Sequence, residues 1–165
     1  MAKQTINTGT VANDATGDSI RAGAQKINAN FDELYSLIAN GNINSLPAIT
    51  TLNVTANGNS GYVFDQYGAS DDPTIYTISG TTIAFALDCS GHPFKIQTSV
   101  GVDYDTGLIH IAADGTRTTG SSAQGKTSGT LYWKIPFGIT GSYKYQCSAH
   151  AGMNGVITIK DISAI

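Results

Sequence analysis

The sequence is short of charge, sulfur and imidazole. Only 13% of its 165 residues are Asp, Glu, Lys or Arg, and the net charge is -3. That balance lacks the basic surface that binding to nucleic acid or an anionic membrane surface requires. No apolar run approaches the length of a membrane-spanning helix. The opening MAKQTINTGT has one lysine and no apolar stretch behind it, so no secretory signal peptide is expected, and synthesis in a reducing host cytoplasm is. Two cysteines allow one disulfide at most, which excludes a disulfide-built scaffold. The phosphate-cradling G-x-x-x-x-G-K-[ST] pattern does not occur. Asp103, Asp105 and Asp114 lack the spacing of a calcium loop, and no Ser/His/Asp or Cys/His spacing argues for a nucleophile. An enzyme is therefore not expected.

Glycine is abundant at 19 residues, with many Thr, Ser and Asn, and 41% of the chain is hydrophobic. This profile suits short strands joined by tight turns. The chain nevertheless changes character near residue 40. Before that point a helix is predicted over Ser19–Ala39, with Thr16, Asp18 and Ser19 as capping candidates and Gly41 as its stop. Its apolar positions are Ile20, Ala24, Ile27, Phe31, Leu34 and Ile38. They are spaced alternately by four and three, the a/d seam of a coiled coil. Such a helix is marginal alone and must pack on something, either its own domain or further copies of itself. A mixed seam does not by itself choose between dimer and trimer.

Residues 42–60 read as a linker rich in Asn, Gly, Thr and Ser, with one short strand at Ile49–Val54. From 61 to 165 the pattern becomes strand, turn, strand. Strands are predicted at Tyr62–Gln66, Thr74–Ile78, Thr82–Leu87, Pro93–Thr98, Leu108–Ala112, Thr130–Ile135, Ser142–Gln146 and Val156–Lys160. That number and spacing fit a two-sheet Greek-key β-sandwich. The polar stretch 113–129 reads as a mobile surface connector or contact tip. His110 reads as an ordinary strand residue.

The scarce residues are not scattered. The one internal methionine, Met153, stands three positions after His150, which stands three after Cys147. A blue-copper site wants two imidazoles, one thiolate and a weak axial thioether. Cys147, His150 and Met153 supply three of these from one loop between strands. His92, opening a strand after a glycine turn, supplies the fourth. Bland readings stand beside this one. His92 suits a turn, Met153 suits the core, and Cys89 with Cys147 suits a disulfide.

SGHPFKIQT together with GSYKYQCSAHAGMNGVITI resembles the cupredoxins, the plastocyanin and amicyanin family, over residues 61–165. The resemblance implies a cupredoxin-like sandwich in which His92, Cys147, His150 and Met153 hold a single copper ion that cycles between Cu(I) and Cu(II). A sandwich can also keep its ligand loop while serving as a structural block.

The first forty residues carry a second resemblance. INTG, the ND-A-TGD turn and KINANFDELY are similar to the N-terminal attachment module of baseplate and tail-fibre-socket proteins of large contractile-tailed phages, over residues 4–41. This implies a parallel three-helix bundle that fixes a homotrimer to other tail and baseplate proteins. The GHPF and YQC-x2-H-x2-M pieces also resemble domains in virion proteins of marine cyanobacterial phages. The expected organisation is an attachment and trimerisation segment at 1–41, a linker at 42–60 and the sandwich at 61–165. The expected function is that of a structural protein of the virion tail or baseplate. The alternatives are a copper-dependent electron carrier acting on host redox partners, or a tip that contacts the host surface.

Overall fold

The computed structural model describes residues 4–11, 15–39, 48 and 50–161, with the backbone alone described for 33–39. Gly41, the side chains of Leu34 and Ile38, and most of 42–49 lie outside the described residues. The chain divides into two units, Met1–Ile43 and Asn44–Ile165.

In the first unit, helix α1 spans Ile20–Ala39. Of the three capping candidates Ser19 serves, its Oγ accepting the Ala22 N–H at 3.1 Å. Asp18 is used differently. Its carboxylate accepts Asn7 N–H at 2.8 Å and Lys26 Nζ at 2.7 Å, which hold it below the usual carboxylate range. Asp18 N–H in turn donates to Asn7 O, and Asn7 Nδ2 donates to Thr16 O. The INTG and TGD pieces are thus two sides of one hydrogen-bonded clasp. Gly17 fits because a Cβ there would come within 3.0 Å of Asn7 O and Gly9 N. The extended segment continues along the helix, where Gln4 and Asn30 exchange two hydrogen bonds and Lys26 Nζ donates to Thr5 O.

The second unit is a β-sandwich. Ten strands form it: β1 (Thr50–Asn57), β2 (Gly61–Phe64), β3 (Ile75–Ile78), β4 (Thr82–Asp88), β5 (Phe94–Thr98), β6 (Leu108–Ile111), β7 (Arg117–Thr119), β8 (Ser128–Lys134), β9 (Gly141–Cys147) and β10 (Asn154–Lys160). One sheet has the order β2-β1-β4-β8-β6-β7 and the other β3-β10-β9-β5. The β1–β4 and β3–β10 pairs are parallel, and the remaining pairs are antiparallel. The core between the sheets is built from Leu52, Val54, Phe64, Phe85 and Trp133 on one side and Ile75, Ile96, Tyr145 and Ile157 on the other. Each large side chain so buried contributes about 1.5–3 kcal/mol.

Two expectations change. The sandwich begins at β1, inside the segment read as linker, because Leu52 and Val54 alternate inward between solvent-facing Thr and Asn. The stretch 113–129 is built into the fold. It holds β7 and a short 3-10 turn at Gly120–Ala123, with Ala123 fully buried. Gln124 then bonds the Ile96 backbone in both directions, at 2.9 and 2.8 Å.

Asp72 ties the sheets at one end. Its carboxylate accepts Tyr62 N–H from β2 at 2.9 Å and Asn154 N–H from β10 at 3.1 Å. Burial pushes its pKa up, against the pull of those two bonds. The chain enters β1 at the level of Ile83, near the start of β4. The end of β4 leads through a turn to His92, so entry and His92 lie at opposite ends of the sandwich.

Candidate metal centre

Strand pairing brings the scarce residues together. Phe94 lies opposite Cys147 in the β5–β9 pair, which places His92, two residues before Phe94, beside the thiol. A turn sets His92, with Gly91 at φ 82 and His92 N–H donating to Cys89 O at 2.9 Å. Tyr62 OH donates to His92 O at 2.9 Å from the buried interior. Its own pKa is raised, chiefly by burial. The β9–β10 loop closes on itself, with Cys147 N–H donating to Met153 O and Met153 N–H to His150 O, at 2.9 and 3.1 Å.

The result is a triangle of donor atoms. His92 Nδ1 and His150 Nδ1 are 3.2 Å apart, and Cys147 Sγ is 4.0 Å from the first and 3.6 Å from the second. A metal with bonds of about 2.0–2.1 Å to nitrogen and 2.3 Å to sulfur separates its donors by roughly 3.3–3.8 Å at trigonal to tetrahedral angles. The three observed separations lie within about 0.2 Å of that range, so small side-chain adjustments would let one ion reach all three atoms. Cys147 is buried and His150 half-buried, so the imidazole of the loop meets solvent while the thiol does not. Met153 is fully buried beneath the loop. Two imidazoles with a thiolate and a thioether suit a soft or borderline ion such as copper.

The remaining candidates fall elsewhere. Cys89 and Cys147 are both free, and Cys89 Sγ lies 3.5 Å from Thr127 O. Its thiol is pushed up to about 12 by burial, then by the neighbouring Cys147 and Asp88. His110, on β6, is buried and donates to Ser128 O at 2.7 Å if Nε2 carries the proton. Burial lowers its pKa. Two residues were not legible as parts of the site, Tyr62 and Gln146. Gln146 is a polar residue one position before the thiol in an aromatic-rich strand, and that was its only signal.

The fold and the donor triangle define a two-sheet β-sandwich with a candidate metal centre, preceded in the chain by a separate helical module. The chain belongs to the bacteriophage T4 gp9/10-like family: the model of that family's N-terminal part matches residues 3–107, running past the helix and through β5. It is 54% identical over 41 residues to baseplate wedge protein gp10 of Enterobacteria phage T4, a match covering 25% of this chain and 7% of that protein. Among solved structures, amicyanin from Paracoccus versutus covers 70% of this chain with 86% of its own length, at 17% identity and a TM-score of 0.39. Auracyanin B does so with 92% of its length at 16% identity and a TM-score of 0.40, again over 70% of this chain. Reduced rusticyanin is 19% identical with a TM-score of 0.39, over 70% of this chain and 82% of its own.

Proposed function

We propose that the chain is a structural protein of a phage virion, held at the tail baseplate by its N-terminal module and displaying the sandwich as a head. The observation that carries this reading is the division of labour around α1. One face is taken by the segment from Gln4 to Gly9 and contains buried Gly23 and half-buried Lys26. The a/d stripe lies about a quarter turn round the helix from that face: Ile20 is 95% exposed, Ile27 43% and Phe31 51%, and Ala24 is exposed with them. An apolar stripe at coiled-coil spacing, in a module of this family, is suited to two further copies of itself. Burial of Ile27 and Phe31 in a parallel trimer would contribute about 1.5–3 kcal/mol per side chain before ordering costs. Other baseplate proteins are the partners this reading supplies, and no catalysis is assigned to the chain.

In the head, His92, Cys147 and His150, with Met153 as the weak fourth ligand, would hold one copper ion. Copper there would supply one-electron exchange between Cu(I) and Cu(II). The chain's own part is to keep the donors fixed and the thiol dry. That triangle favours a second reading, an electron carrier for host redox partners. A carrier that diffuses gains nothing from a self-associating helix, which is why the structural reading comes first.

Sedimentation of the full chain tests the anchor. The wild type should sediment as a trimer and Ile27→Asp as a monomer. Equal trimer content in both would remove the seam from the account.

A further inference from the structure

Gln146 is a buried polar side chain enclosed by the ligand loop. Its Nε2 lies 2.9 Å from Cys147 O, 3.1 Å from His150 O, 3.3 Å from Ala151 O and 3.2 Å from Met153 O. Four carbonyl oxygens that converge repel one another unless a donor stands among them, and a side-chain amide brings two N–H bonds to share. On its other side, Gln146 Oε1 accepts from Lys144 Nζ at 3.3 Å. Lys144 and Gln146 alternate onto the same face of β9. The lysine thus fixes which way the amide points, with nitrogen toward the loop and oxygen toward the ammonium.

We infer that Gln146 is a positioning residue for the metal loop, its amide holding the curvature that sets Cys147 Sγ 3.6 Å from His150 Nδ1. Ser148, Ala149, Ala151 and Gly152 are exposed, so the outer side of the loop has little packing to hold its shape. To the backbone bonds that close the loop, and to the Ser148 N–H bond to Pro93 O, Gln146 adds from within one nitrogen that touches the carbonyls of two ligand residues and of the axial candidate. The inference rests on the reading of this site as a metal centre.

The test is a Co(II) titration of the full-length protein, followed by its thiolate and ligand-field bands. Gln146→Met keeps the side-chain length and removes both donors. It should weaken Co(II) binding about ten- to a hundredfold and shift the bands, the range seen when outer partners of metal ligands are lost. Tyr76→Phe, an exposed residue on β3 at the far edge of the same sheet, should leave both unchanged. Lys144→Met leaves Gln146 in place without its orienting contact, and should weaken Co(II) binding by less than Gln146→Met does. It takes over the decision if Gln146→Met does not fold. Wild-type affinity and band positions in Gln146→Met, or in Lys144→Met where that variant decides, would overturn the positioning role while the metal reading stands. Absence of thiolate bands in the wild type would overturn the metal reading itself, and the inference with it.

Discussion

His92 Nδ1 and His150 Nδ1 face each other at 3.2 Å although the residues are 58 positions apart, and their rings are tilted by 36° with centroids 4.8 Å apart. Two ring nitrogens this close share either one proton or one ion, since each alone offers the same lone pair or the same N–H. The thiol beside them completes the donor set of the metal centre proposed above. The β5–β9 register, the Gly91 turn and the closed loop bring these atoms together.

The proposed copper site gives the first prediction. Cu(II) added to the reduced protein should give an intense visible thiolate-to-copper band. Cys147→Ser should lose it entirely while keeping its far-ultraviolet dichroism. A band of equal intensity in the variant would place the copper elsewhere.

Cys89 makes stability fall at alkaline pH. Its folded value, about 12, lies above the ordinary 9.0, so its contribution is fully present below pH 9 and is lost as pH rises toward 12. Burial also raises Tyr62 and Tyr145 above 10.0, which gives a loss of the same sign that begins later. Denaturant midpoints should therefore decline from pH 9 upward. In Cys89→Ala the decline should begin about one pH unit higher, where the tyrosines start. Superimposable profiles would show that Cys89 is not responsible.

Helix α1 and the loop that brings Cys147 and His150 together were legible in the sequence, because both depend on local pattern. The four-three spacing from Ile20 to Ile38 fixes one face of a helix whatever surrounds it. Cys147, His150 and Met153 stand out through rarity and lie in one loop. Less legible was anything set by register between distant strands. Leu52 and Val54 sit among Thr and Asn, so the sequence shows a short strand there without showing that it pairs with β4 as part of the sandwich. The short β7 exists because its residues pair with Ile109–Ile111, and its polar sequence carries no sign of that. Tyr62 and Asp72 act through backbone groups of other segments, and Gln146 through carbonyls that only the closed loop turns toward it.

Asn7 is the keystone of the N-terminal clasp. Its side chain accepts Gly9 N–H at 3.0 Å and donates to Thr16 O at 2.8 Å. Asn7→Ala removes both bonds, at about 1 kcal/mol each. Amide exchange at Gly9 and Asp18 should quicken roughly ten- to thirtyfold, with the sandwich unaffected. Unchanged rates at both amides would mean that the backbone bonds alone hold the clasp.

The assignment to the particle rests on the anchor rather than on the metal loop. The measurement that meets it most directly is incorporation into purified virions, scored by protein gel, of the wild type, a variant lacking α1, and Cys147→Ser. The account predicts that removal of α1 abolishes incorporation, while Cys147→Ser enters particles at wild-type copy number. Normal incorporation without α1 would contradict it.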